Sequence, residues 1–205
     1  ASIPPIYFRL PEYSIAAYWN TISEAAPNTD FVIYNIPQLA GTALTMSLFA
    51  EMKKNPRVVA VKNSSMPTQD IQMFKDAGIQ ARGEDGFAVF NGPDEQFVSG
   101  RAIGADGGIG GTYGVMPELF LKLNELIKAH ENEKACELQH AVNSIIYKMC
   151  SGHGNMYAVA KEMLRINAGL DIGSVREPLT GLNDADREIA AEAAAMVRET
   201  IEKYV

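Results

Sequence analysis

Two cysteines, three histidines and one tryptophan are all that 205 residues contain of those types. Cys136 and Cys150 have no CxxC spacing and sit in helix-like sequence, so they read as thiols of a reducing, cytoplasmic compartment. His130, His140 and His153 form no HxH or HExxH pattern, which argues against metal catalysis. No apolar run approaches the length of about 18 residues that a membrane helix needs, and no signal peptide precedes the first apolar run. The net charge is −7 and no basic stripe or tail occurs, so nothing favours nucleic acid. An anionic substrate would be held by local donors rather than by a global field. No segment is of low complexity. At 47% hydrophobic and 21% charged residues, the composition is that of an ordinary globular chain, enough for one large domain or two small ones.

What is present is an alternation. Five short apolar, β-rich runs occupy residues 2–8 (SIPPIYF), 31–34 (FVIY), 57–62 (RVVAVK), 86–90 (GFAVF) and 107–113 (GGIGGTY). Helix-like segments separate them at residues 13–26, 45–54, 68–77 and 94–103. Strand starts at 2, 31 and 57 are spaced by about one strand plus one crossover helix. The runs are apolar throughout rather than alternating, which predicts a parallel sheet covered by helices. After Tyr113 the strands stop, and residues 118–130, 132–150, 155–168 and 184–204 all read as helices. Asn183 is the expected N-cap of the last one, whose alanine-rich centre favours helix by propensity. Five parallel strands suit either an open doubly wound sheet or part of an eight-stranded barrel of about 250 residues.

In either architecture the chemistry gathers at the carboxyl ends of the strands. Those ends carry Tyr7, Tyr34, Lys62, Asn91-Gly92-Pro93-Asp94-Glu95 and the glycine-rich 104–113. A lysine ending a strand either snorkels its amine into water or is kept dry as a nucleophile that attacks a carbonyl to form a Schiff base. Tyr34 either packs a helix or, from the neighbouring strand about 4.8 Å away, shares a substrate with Lys62 and moves a proton. Asp94 and Glu95 either open a helix at its positive end or accept hydrogen bonds from a polyhydroxylated substrate. The run 104–113 has no Lys-Ser/Thr after it and is no Walker A. Its glycines read as letting the backbone approach a small molecule, with Asp106 as a capping or turn residue.

Together, Tyr34-Asn35-Ile36-Pro37, Val61-Lys62-Asn63-Ser64-Ser65, Asn91-Gly92-Pro93-Asp94-Glu95 and residues 104–113 resemble the N-acetylneuraminate lyase and dihydrodipicolinate synthase family, over essentially the whole chain. The resemblance implies class I pyruvate aldolases on a (β/α)8 TIM barrel with a C-terminal helical extension. This chain would hold barrel strands 4–8, with residues 1–130 in the barrel and 131–205 in the extension. It implies Lys62 as the Schiff-base lysine, Tyr34 as proton shuttle, and Tyr7 as a catalytic tyrosine that reaches a neighbouring subunit's site and completes a proton relay there. Ser64, Gly92, Asp94, Glu95, Ile109 and Gly111 would contact the substrate. No cofactor and no metal are expected. The expected ligands are 2-keto acids, pyruvate and sialic acid, and the expected assembly is a cytoplasmic homotetramer, a dimer of dimers. The synthases carry an arginine shortly after the YNIP motif. Here Gln38-Leu39-Ala40-Gly41 follows, which looks more like the lyases that cleave N-acetylneuraminate to pyruvate and N-acetylmannosamine. A synthase-like or other 2-keto-3-deoxy sugar acid aldolase is the alternative, as is an inactive keto-acid-binding relative. Gly111 stands where lyases tend to carry serine, and Pro93 replaces an aromatic residue. The family's first three βα units, with their carboxylate-binding turn, are missing from the sequence. The expectation is that the chain is part of a longer polypeptide. The alternatives are a second chain that supplies the units, or a reduced, inactive protein.

Overall fold

A computed structural model describes all residues, 1–205. The chain forms two compact units, Ala1–Ile109 and Gly110–Val205.

The first unit is a parallel sheet with helices. Its elements are α1 (Glu12–Ala25), β1 (Phe31–Asn35), α2 (Pro37–Ala40), α3 (Met46–Met52), β2 (Val58–Asn63), α4 (Gln69–Arg82), β3 (Ala88–Asn91), α5 (Phe97–Ala102) and β4 (Gly107–Gly108). The strands run in the order β1-β2-β3-β4, all pairs parallel. One sheet face is apolar and dry. Phe31 and Ile33 of β1, Val58 and Val61 of β2, and Val89 of β3 pack with Trp19 of α1, Leu48 and Phe49 of α3, and Ile71 and Phe74 of α4. Phe49 is the hub, edge-to-face against Phe74 at 5.2 Å and Phe87 at 5.5 Å. The other face, carrying Val32, Tyr34, Lys62, Ala88 and Phe90, is only half-buried.

Two of the five expected strands shrink. Residues 2–8 do not form a strand: only Ser2 bridges Ile33 in parallel, with Ser2 N–H donating to Val32 and accepting from Tyr34 N–H. Pro4 is the next residue whose N–H would extend that ladder, and it has none. Residues 107–113 keep only the two-residue β4, because glycines bring no side chain to pack a pleated surface. Asp106 proves structural, accepting the Val89 N–H at 2.7 Å and the Lys75 ammonium at 2.8 and 2.9 Å.

The second unit is all helix: α6 (Pro117–Lys128), α7 (Asn132–Cys150), α8 (Met156–Ala168) and α9 (Asp184–Tyr204). Its core draws Leu119 and Leu123 from α6, Leu138, Val142 and Ile145 from α7, and Val159 and Met163 from α8. Ala190, Ala193 and Ala194 of α9 are fully buried; side chains this short let a neighbouring helix approach closely. Asn183 accepts the Asp186 N–H at 2.8 Å while Asp186 accepts the Asn183 N–H, a reciprocal cap as the sequence predicts. Cys136 and Cys150 both lie on α7 and are exposed. No helix is long and apolar enough to cross a membrane.

Candidate active site

Parallel register sets the site. Tyr34 of β1 pairs with Lys62 of β2, and Lys62 pairs with Phe90 of β3. Cross-strand partners in a parallel sheet point to the same face, so Lys62 lies between Tyr34 and Phe90 in the row of residues on the half-buried face. The Lys62 Nζ lies 4.0 Å from the centroid of the Tyr34 ring. The contact is with the ring face, a cation–π contact that holds the amine at the strand end. Phe90, the third member of the row, is a residue that sequence reasoning missed. The only signal for it is the register itself.

One position further along, all three strands turn polar. Asn35, Asn63 and Asn91 are cross-strand partners, 3%, 1% and 0% exposed, and they face the helix-covered side. Asn35 Nδ2 donates to Asn63 Oδ1 at 2.7 Å, and Asn35 Oδ1 accepts the Leu44 N–H at 2.9 Å. Asn63 Nδ2 donates to Ser65 Oγ at 2.8 Å, and Ser65 donates to Asp70 Oδ2 at 2.6 Å. Asn91 Nδ2 instead donates to the Pro93 carbonyl at 2.7 Å, fixing the turn that leads into Asp94.

The predicted contact residues of the first unit follow these strand ends. The Ser64 N–H donates to Asn35 O at 2.7 Å, Gly92 N–H to Asn63 O at 2.8 Å, and Ile109 N–H to Asn91 O at 2.9 Å. The backbone ladder therefore places Ser64, Gly92 and Ile109 in successive steps along one edge. Gly92 has to be glycine here. A Cβ on it would lie 2.0 Å from the Ser64 hydroxyl oxygen and 2.8 Å from the Asn63 carbonyl. The Gln38 carboxamide, in the amide orientation that its neighbours satisfy, turns its nitrogen toward the Ser64 carbonyl (3.1 Å) and its oxygen toward the Met66 N–H (3.2 Å), which ties the loop after β1 to the loop after β2. Asp94 is buried on the 3-10 turn Asp94–Gln96, whereas Glu95 beside it is exposed. The two acids thus have different surroundings.

Two further predicted residues make none of these strand-end hydrogen bonds. Tyr7 is 92% exposed at a positive φ of 89°, a conformation costly for a tyrosine, with its ring against Phe8 at 4.8 Å. Gly111 lies in the second unit, where an added Cβ would come 3.1 Å from the Tyr157 hydroxyl and ring edge. The second unit also holds a cavity of about 250 Å³ lined by Lys161, Glu162, Arg165, Asp171, Ser174 and Arg187, among others. It contains none of the predicted residues. Its charges mostly engage one another: Arg165 hydrogen-bonds Glu162 at 2.6 and 3.0 Å and holds that carboxyl below its ordinary range, and Lys161 donates to the Ser174 carbonyl at 2.6 Å. The strand-end row remains the better candidate, because it sets a lysine amine against a tyrosine at the carboxyl ends of parallel strands, where such folds gather their chemistry.

A sequence profile described as the Dihydrodipicolinate synthetase family matches residues 1–197. The chain is 65% identical, over all 205 residues, to the N-acetylneuraminate lyase of Mediterraneibacter gnavus, and covers 64% of that protein. It is 28% identical over its whole length to the N-acetylneuraminate lyase of Pasteurella multocida, again covering 64%. Among solved structures, the wild-type Ruminococcus gnavus sialic acid aldolase superposes with a TM-score of 0.94 at 65% identity, over 99% of this chain and 66% of that one. A catalytic lysine mutant of that aldolase gives 0.95. The chain therefore spans just under two thirds of the length of the curated relatives it matches. Its parallel α/β unit is the C-terminal part of the TIM barrel these relatives share, followed by the helical extension.

Proposed function

Because the chain belongs to the dihydrodipicolinate synthetase family, we propose that the protein carrying it is a Schiff-base lyase that cleaves N-acetylneuraminate to pyruvate and N-acetylmannosamine. One observation carries the reading: the Lys62 amine ends β2 directly opposite Tyr34, 4.0 Å from its ring. The 65% identity to a protein named N-acetylneuraminate lyase directs it to sialic acid.

The chemistry then runs through these two side chains. The neutral Lys62 amine adds to the C2 ketone of the open-chain sugar acid, and loss of water leaves an iminium. Tyr34 takes the proton of the C4 hydroxyl, and the C3–C4 bond breaks with its electrons flowing into the iminium. The products of that step are the aldehyde sugar and an enamine on Lys62. Protonation of the enamine at C3 and hydrolysis of the iminium release pyruvate and restore the amine. The lysine supplies the covalent electron sink, so the reaction as written uses no cofactor.

In this reading Ser64, Gly92, Asp94, Glu95 and Ile109 border the substrate, with the acids on its hydroxyl groups. Gln38 supports the lyase over a synthase-like activity. It is a neutral carboxamide already engaged with the Ser64–Met66 backbone, and it offers no cation to a second carboxylate. Tyr7 belongs to an interface between subunits of a cytoplasmic homotetramer. Its exposed ring, flanked by exposed Ile6 and Phe8, supports that placement. Residues 1–130 act as barrel and 131–205 as extension.

The test is borohydride reduction of the natural protein in the presence of pyruvate, followed by peptide mass mapping. A reduced pyruvate adduct on Lys62 is the expected result. A folded sample with no adduct on that lysine removes the Schiff-base reading.

A further inference from the structure

Behind the Tyr34–Lys62 pair, the buried polar residues form a directed row of hydrogen bonds. The one hydroxyl proton of Ser65 has two acceptors in reach, Asn63 Oδ1 at 3.1 Å and Asp70 Oδ2 at 2.6 Å, and the row runs in one direction with that proton on the nearer carboxylate. Leu44 N–H donates to Asn35, Asn35 to Asn63, Asn63 to Ser65, and Ser65 to the carboxylate of Asp70, at 2.9, 2.7, 2.8 and 2.6 Å. Each carboxamide in this row accepts at its oxygen and donates at its nitrogen. Neither can flip without breaking both bonds. Hydrogen bonds aligned head to tail polarise one another, and the row ends on a carboxyl group, the strongest acceptor in it. Asp70 itself sits in the first turn of α4, where an anion suits the helix dipole.

The location argues for more than stability. On the helix-covered face, β1 carries Phe31 and Ile33, and β2 carries Val58 and Val61, before each strand switches to asparagine. Apolar side chains there would extend the core with no polar group to satisfy, and core polarity is the costlier choice. The switch occurs at the residue directly after Tyr34 in one strand and directly after Lys62 in the other. A carboxamide bonded across strands specifies register where an apolar pair would tolerate slippage, and a one-residue slip would turn Tyr34 or Lys62 to the wrong face. The row also reaches Leu44 in the chain segment after α2, so it ties three chain segments to α4.

We propose that Asp70 is a positioning residue for the reaction at Lys62. Acting through Ser65, Asn63 and Asn35, it locks the ends of β1 and β2 so that the Tyr34 side chain stays opposite the lysine amine. Asn91, though in the same register, is outside the row. Its nitrogen serves Pro93 and its Oδ1 has no hydrogen-bond partner. The inference rests on the Schiff-base reading of Lys62.

The experiment compares Ser65→Ala, Ser65→Thr and Asp70→Asn with the natural protein. It reads the rate of borohydride-trappable adduct formation with pyruvate, the pyruvate concentration at half-maximal trapping, and the Tm. Small misplacements of reacting groups cost up to about 100-fold in rate. Ser65→Ala and Asp70→Asn are therefore expected to slow trapping by about 10- to 100-fold, with the half-maximal pyruvate concentration unchanged. Ser65→Thr keeps the hydroxyl and recovers most of the lost rate. Natural rates in Ser65→Ala and Asp70→Asn, with a lowered Tm, reduce the row to a structural feature and overturn the proposal. If Ser65→Ala does not fold, Asp70→Asn decides, because the change is isosteric and Asp70 is only half-buried. An absence of adduct in the natural protein is a separate outcome, which overturns the function reading and this inference with it.

Discussion

The two units bury polar groups for different ends. In the second unit the buried carboxylate of Asp186 serves its own helix: it accepts the N–H groups of Asn183, His153 and Gly154 and closes the start of α9. In the first unit the buried Asn35, Asn63 and Ser65 cap no helix. They run across the sheet, one residue beyond a tyrosine and a lysine whose amine faces the tyrosine ring. Polarity that repairs a helix end lowers the cost of folding. Polarity laid across strand ends adds no stability that an apolar side chain would not supply. It identifies the place where position, rather than stability, is being specified. The comparison therefore predicts that substitutions in the first unit move activity more than Tm, and substitutions at the cap of the second move Tm alone.

The largest effect is expected from Lys62→Ala. The borohydride adduct disappears and turnover falls to the detection floor, while the circular dichroism spectrum is kept; full activity in that variant would break the comparison outright. Tyr34→Phe comes next and divides the role of that side chain. The ring under the amine stays, so Lys62 still traps pyruvate. Losing the hydroxyl removes the proton transfer that the proposed function assigns to it, and steady-state cleavage of N-acetylneuraminate is expected to drop by about 10²- to 10⁴-fold. If trapping and cleavage fall together, the hydroxyl is needed for Schiff-base formation as well.

These side chains were legible because residue type and position coincide: a lysine and a tyrosine at the ends of apolar runs, at the end of the sheet where such folds do chemistry. The helices were legible for a similar reason. The apolar spacing and the Asn183 cap mark α7 and α9 almost to the residue. The asparagine row was hidden. Asparagine in sequence is a turn residue, and only the register shows that Tyr34-Asn35, Lys62-Asn63 and Phe90-Asn91 are the same two steps repeated on three strands. The missing first strand was hidden for the opposite reason: Ile3, Ile6, Tyr7 and Phe8 look like a strand, yet Pro4 and Pro5 withdraw the N–H groups that would pair it.

Gly92→Ala sharpens the contrast at intermediate size. The new methyl group would meet the Ser64 hydroxyl at 2.0 Å and a backbone carbonyl at 2.8 Å, and only the hydroxyl can turn aside. Overpacking of this kind costs about 1–3 kcal/mol, readable by denaturant unfolding, and it displaces Ser64, which the proposed function places beside the substrate. Trapping should therefore slow in the same variant. Asn183→Ala removes a helix cap worth about 1 kcal/mol. It lowers the Tm and leaves the trapping rate as it was; a change in rate there would show that the two units are not separable in this way.

The smallest effect is invisible at neutral pH and appears only in acid. The amide of His153, then those of Asn183 and Gly154, hold the Asp186 carboxyl below its ordinary range, against the burial that pushes it upward. A carboxyl whose folded pKa is depressed stabilises the fold fully above the ordinary aspartate value near 3.8. That contribution is lost as pH falls below it and the native carboxylate takes up its proton. The carboxamides of the strand-end row bind no proton over the same range. An acid titration followed by hydrogen exchange should thus find the amides of the first turns of α9 losing protection below about pH 4, before those of β1 and β2. Asp186→Asn should remove that pH dependence from α9 while leaving the strands unchanged. If instead the strands open first, the sheet rather than the cap carries the acid weakness of the chain.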